Sequence, residues 1–163
     1  MAGDAAGASR ARWFMMDQGR VVDLPDLAAT ESLGGAIAAR VRAGDAILLA
    51  GPLGAGKTAF ARAFLRALSG DPALEVPSPS FTLVQTYATP AGPVHHFDLW
   101  RLDGPARLTE LGWEDALADI VLVEWPERLG EQLPDDALTL ELSFGDGEAR
   151  RGRLSGWADR LAP

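Results

Sequence analysis

The sequence contains no cysteine, a single lysine and no apolar run long enough to cross a membrane, and its acidic residues outnumber its basic ones. Without cysteine there is neither a disulfide framework nor a thiolate metal site, a usage that suits the cytoplasm. The longest apolar strings are strand-sized, Ala46–Ala50 and Ile120–Trp125, far short of the ~18 residues a spanning helix needs. The opening stretch, MAGDAAGASRARWFMMD, lacks the apolar segment of a secretory signal and is expected to form a loose tail over residues 1–19. The formal net charge of −8 gives a field that opposes a polyanionic backbone, so little or no direct nucleic-acid binding is expected. The basic group Arg150, Arg151 and Arg153 reads as a solvated hairpin strand.

What is present fits one domain over residues 20–163, with enough apolar residues for a real core. A short strand at Arg20–Leu24 leads through Pro25 to a helix over Thr30–Val41, with Leu33, Ile37 and Val41 on one face and Gly44 beyond its end. Ala46–Ala50 is an unbroken apolar run before a glycine loop, the mark of a strand buried on both faces. A helix over Lys57–Ser69 follows, with Phe60, Phe64 and Leu68 on one stripe and Gly70 as its stop. The β-rich runs Phe81–Ala88 and Val94–Trp100 flank Thr89–Pro93 and read as a hairpin. A helical region over Pro105–Asp119 breaks near Gly112. Ile120–Trp125 is a second buried strand, and Pro126 can open a short helix at its first position. Leu138–Phe144 and Glu148–Leu154 alternate around Gly145-Asp146-Gly147 as a second hairpin. The expected fold is therefore α/β, a three-layer arrangement of the P-loop NTPase kind around a mixed sheet, parallel at its centre with antiparallel edge hairpins.

Gly51-Pro52-Leu53-Gly54-Ala55-Gly56-Lys57-Thr58 fits the pattern G-x-x-x-x-G-K-[ST], and every fixed position has a mechanical reason. Glycines let the backbone curl so that successive N–H groups form an anion nest, and the helix start behind them adds its positive dipole end. Lys57 supplies a mobile ammonium for the β- and γ-phosphates, and the Thr58 hydroxyl is positioned to ligate Mg²⁺. In a chain that otherwise uses arginine, the sole lysine falls at this position.

Such a loop needs a carboxylate at the end of a neighbouring strand. Glu124, closing Ile120–Trp125, fits that place better than Asp98, which stands mid-strand where a carboxylate could equally be solvated or paired with Arg101. His95 and His96 are adjacent on a strand, so they face opposite sides and cannot share one metal; each reads as an ordinary packed or exposed histidine. Trp100, Trp113 and Trp125 read as core or contact residues, Trp125 adjoining the presumed ligand. Val76-Pro77-Ser78-Pro79-Ser80-Phe81-Thr82 is a stiffened loop, either a plain connection or a segment whose hydroxyls reach a γ-phosphate or its metal. A guanine-reading N-K-x-D element is excluded by the missing second lysine. No L-S-G-G-Q-like helix of a transport ATPase is present, and no clear arginine-rich kinase lid.

GPLGAGKT, SPSFTL, HHFDLWRL, ELG and LVEWPERL, in this order and at these spacings, resemble the TsaE (YjeE) family, the bacterial ATPases of tRNA threonylcarbamoyladenosine synthesis. The resemblance runs from about Asp23 to Leu142. It implies that Gly54, Ala55, Gly56, Lys57 and Thr58 bind ATP, that Thr58 and Glu124 hold Mg²⁺, and that Ser78–Thr82 is a switch-like loop. It further implies that Lys57, Ser80, Asp98 and Glu124 carry the reaction, that Trp125 lies beside the nucleotide, and that Thr30 is near the adenine side. The implied partners are the TsaD and TsaB proteins, with ATP hydrolysis resetting their complex. Two positions depart from the family pattern: Ser80 stands for the usual threonine and keeps its hydroxyl, while Trp100 stands for the usual tyrosine and loses a phenol. The competing class is a small-molecule kinase, with Asp98 as base beside an acceptor.

Overall fold

The computed structural model describes residues 19–161. All but one residue of the expected N-terminal tail lie outside that range. Along the chain come β1 (Arg20–Leu24), α1 (Leu27–Ala38), β2 (Ala46–Ala50), α2 (Lys57–Ser69), β3 (Val84–Thr89), β4 (Gly92–Asp98), α3 (Pro105–Glu110), α4 (Trp113–Ala116) and β5 (Ile120–Glu124). A 3₁₀ segment (Pro126–Gln132), β6 (Leu138–Phe144), β7 (Arg150–Ser155) and α5 (Ala158–Leu161) complete it.

The strands form one seven-stranded sheet in the order β1-β7-β6-β2-β5-β4-β3. Strands β6, β2, β5 and β4 run parallel, while β1–β7, β7–β6 and β4–β3 pair antiparallel, as the runs of apolar and alternating residues led one to expect. The reason lies in burial. Every residue of β5 is buried, and so is all of β2 except Ala50, whereas β1, β3 and β7 are mostly exposed or half-buried. Apolar side chains fill both faces. Ile47, Leu49, Leu122 and Leu140 pack under Phe60 and Phe64 of α2 and Ile37 of α1. On the other face Leu48, Phe97, Val121 and Val123 pack with Leu108 and Trp113 of α3 and α4, where Phe97 meets Trp113 edge-on. The three layers follow from this division.

Several boundaries differ from the sequence reading, each for a local reason. Helix α1 starts three residues before Thr30 because Asp26 caps it, its carboxylate accepting from the Ala29 N–H at 2.9 Å. Strand β3 starts at Val84, after Phe81–Leu83: Leu83 takes a left-handed backbone (φ 67°) and its N–H reaches Pro79 O at 2.7 Å, so the segment turns. Strand β4 ends at Asp98, whose carboxylate accepts the Trp100 N–H at 3.1 Å. The basic residues of β7 lie on a strand, with Arg151 and Arg153 exposed, in agreement with a solvated hairpin.

Candidate functional site

The glycine loop stands between β2 and α2, over the carboxyl ends of the parallel strands. Gly56 takes a left-handed backbone (φ 107°) at the cap of α2, which turns the chain from loop into helix. Gly51 (φ 139°) lies so close to the neighbouring strand that a Cβ there would meet Leu142 O at 2.5 Å, so only glycine fits.

Lys57 opens α2 and its side chain turns back over the loop. Its ammonium donates to Gly51 O at 2.6 Å and Pro52 O at 3.0 Å, and lies 4.0 Å from the centre of the Trp125 ring. Burial pushes its pKa below the usual lysine value, opposed by the negative charges of Glu124, Glu127 and Asp98. One residue on, the Thr58 hydroxyl donates to Glu124 Oε1 at 2.9 Å. Glu124 is buried at the end of β5, and its other oxygen meets His96 Nε2 at 2.7 Å.

Asp98 is directly opposite Glu124 in the β4–β5 register, so the two carboxylates stand side by side at the top of the sheet. The expectation of a mid-strand Asp98, solvated or paired with Arg101, is corrected: Asp98 is buried at the strand's end, and Arg101 lies instead over the Phe81 ring at 4.9 Å. Its Oδ2 accepts from Ser78 Oγ at 2.6 Å and, more distantly, from Ser80 Oγ at 3.4 Å, while the two hydroxyls stand 3.1 Å apart. The serine loop is thereby fastened beside the glycine loop, with Ser78 rather than Ser80 as the shorter link.

Together these residues line a cleft of ≈ 360 Å³, walled by Gly54, Gly56, Lys57 and Thr58 on one side and by Ser78, Ser80, Asp98, Glu124 and Trp125 on the other. Trp125 takes a left-handed backbone (φ 59°), unusual for a bulky residue, and packs its ring 4.3 Å from that of Trp100. Of the residues named from sequence, Thr30 and Ala55 are both buried and do not line this cleft; Thr30 sits on α1. Sequence reasoning missed His96, and it missed Trp100 as a wall of the cleft. The only signal for His96 was its spacing two residues before Asp98 on one strand face.

Comparison with known proteins decides the family. Residues 24–152 match the model of a family described as "Threonylcarbamoyl adenosine biosynthesis protein TsaE". The chain belongs to the TsaE family. Curated TsaE proteins agree: one from Rickettsia bellii is 37% identical over 122 residues, covering 74% of this chain and 84% of that protein. A TsaE of Nostoc is 34% identical over 146 residues, covering 86% of this chain and 88% of the relative. Among solved structures, Bacillus subtilis YdiB superposes with a TM-score of 0.72 at 27% identity, covering 90% of each chain. The TsaE assignment places the chain in tRNA threonylcarbamoyladenosine biosynthesis. Among the described residues no helix is long and apolar enough to cross a membrane.

Proposed function

We propose that the chain is a Mg²⁺-dependent ATPase serving tRNA threonylcarbamoyladenosine synthesis in the cytoplasm as an accessory of the TsaD and TsaB proteins. The observation that carries this reading is the Thr58 hydroxyl on the Glu124 carboxylate at 2.9 Å, beside a glycine loop that holds the chain's only lysine. The donor set fits the ligands. Backbone N–H groups at the start of α2 and the Lys57 ammonium suit phosphate oxygens, and a hydroxyl with a carboxylate is the hard-oxygen pair that Mg²⁺ takes alongside phosphate and water. Thr58 and Glu124 would hold the ion, which when bound supplies positive charge against the β- and γ-phosphate oxygens.

The chain's own residues do the rest. Lys57 exchanges the carbonyls of Gly51 and Pro52 for phosphate oxygens, a swing of one flexible side chain. Asp98 stands beside Glu124 where it can orient an attacking water or accept its proton. Among the described residues that line the cleft there is no glutamine or arginine to steady the transferring group. Hydrolysis by the isolated chain is therefore slow, and a partner completes the site.

Leu53, which lines the cleft, and Phe81, next in the chain to the cleft residue Ser80, are more than four-fifths exposed, and Trp100 in the cleft wall is about half exposed. Apolar side chains so placed are the kind of surface a partner covers. A γ-phosphate that orders the Ser78–Thr82 loop would alter that rim, coupling nucleotide state to docking.

The test is calorimetric titration of ATP with Mg²⁺ into the chain and into Lys57→Ala. Two charge-assisted hydrogen bonds are worth about 3 kcal/mol, so the variant loses about a hundredfold or more in affinity. Equal affinity in the two proteins would overturn the reading.

A further inference from the structure

We propose that His96 is the positioning residue for Glu124, holding the carboxylate in the orientation that receives Mg²⁺; the inference rests on the metal–nucleotide reading of the cleft. His96 is fully buried on β4, and its Nε2 lies 2.7 Å from Glu124 Oε2. A carboxylate can only accept, so Nε2 carries the hydrogen and donates it. The other oxygen, Oε1, is held by Thr58 at 2.9 Å. Each oxygen of Glu124 is thus fixed by a different element, one by the start of α2 and one by β4.

The two anchors are not equivalent. Thr58 is to be shared with the ion, so its hydroxyl cannot by itself keep the carboxylate from turning about its last bond. The imidazole behind it is rigid, fully buried and outside the cleft lining, so it is screened from whatever the cleft holds. It can act only through Glu124. The sheet places it there: Asp98 pairs with Glu124 and His96 with Leu122, so His96 projects on the carboxylates' face one step back along β4.

The remaining ring nitrogen supports this role. His96 Nδ1 is buried and has no hydrogen-bond partner, although buried polar atoms are nearly always paired. Neighbouring His95 uses both nitrogens, meeting Thr86 Oγ1 at 3.0 Å and Asp119 Oδ2 at 2.9 Å, as a histidine serving structure does. His96 leaves one nitrogen bare in the core and commits the other to Glu124. Partners of metal-ligating groups fix ligand orientation, and losing one typically weakens metal binding ~10–100-fold.

The experiment measures Mn²⁺ affinity of the ADP complex by electron paramagnetic resonance, and ADP affinity in EDTA, for the intact chain and for His96→Gln, His96→Asn and His96→Leu. Glutamine can bring an amide N–H to the place of Nε2; asparagine is too short and leucine has no donor. The expected result is near-normal Mn²⁺ affinity for His96→Gln, a ~10–100-fold loss for His96→Asn and His96→Leu, and unchanged ADP affinity in EDTA for all. Should His96→Leu fail to fold, the Gln and Asn variants decide. Normal Mn²⁺ affinity in His96→Asn would overturn the positioning role while leaving the nucleotide site intact. Absence of a Mn²⁺ site in the unaltered ADP complex would instead overturn the metal reading and this inference with it. Long-range ¹H–¹⁵N spectra of the unaltered chain add a metal-free readout: the Nε2–H tautomer of His96 is expected, and an Nδ1–H tautomer would contradict it.

Discussion

Lys57 is held in the chain by two backbone carbonyls and the face of Trp125, all of them weaker partners than a phosphate. Burial has lowered its pKa, and the negative charge of a triphosphate would raise it again. At a pH between the lowered value of the free chain and the raised value of the complex, the complex keeps the proton and the free chain does not. Binding therefore takes up a proton there, and ATP affinity falls as pH rises through the lowered value. Calorimetry in buffers of different ionisation enthalpy, run over a series of pH values, reads that uptake; its absence throughout would show that Lys57 does not face the phosphates. At this scale Lys57, Thr58 and Glu124 were legible in sequence, because a loop pattern and a carboxylate closing an apolar run are local. His96 was not, since its partner is 28 positions away and is met only across the β4–β5 register.

Elements turn these residues into a site, and two of them can be probed. The serine loop is tied to β4 chiefly by Ser78, at 2.6 Å from Asp98 against 3.4 Å for Ser80. Ser78→Ala should lower stability by about 1.5–3 kcal/mol, as expected for a hydrogen bond to a charged group, and Ser80→Ala by clearly less. Urea unfolding of both variants checks the order, and equal losses would mean that the loop is not anchored at Ser78. Helices α1 and α2 meet at Gly34, where a Cβ would come within 3.0 Å of Ala63 Cβ and 3.1 Å of Phe64 N, whereas a Cβ at Gly35 would touch nothing. Gly34→Leu should cost about 1–3 kcal/mol by overpacking, while Gly35→Ala should raise the melting temperature through helix propensity. Reversed signs would place the helix contact elsewhere. The centres of most elements were readable from periodicity, and β2 and β6 to the residue. Their ends were less so, because Asp26 as cap, Leu83 in a left-handed turn and Asp98 as terminator act through single hydrogen bonds that periodicity does not carry.

Across the whole molecule, one sheet sets the glycine loop, both carboxylates and the serine loop at the same end, since β2, β4 and β5 run parallel and finish together. The mixed topology was legible because buried and half-buried strands read differently. That β6 lies against β2 and brings β7 and β1 to the far edge was not, for it depends on pairings between distant segments. The exposed apolar rim of the cleft belongs to this scale as well, and so does the absence of a stabilising arginine or glutamine from its lining among the described residues. Both fit the proposal that a partner completes the site. The most direct measurement is ATP hydrolysis with Mg²⁺ by the purified chain, alone and with TsaB and TsaD from the same cell, for the unaltered sequence and Lys57→Ala. Slow turnover that rises with the partners and vanishes in Lys57→Ala is the predicted result. Turnover indifferent to TsaB and TsaD but dependent on a small phosphate acceptor would contradict it.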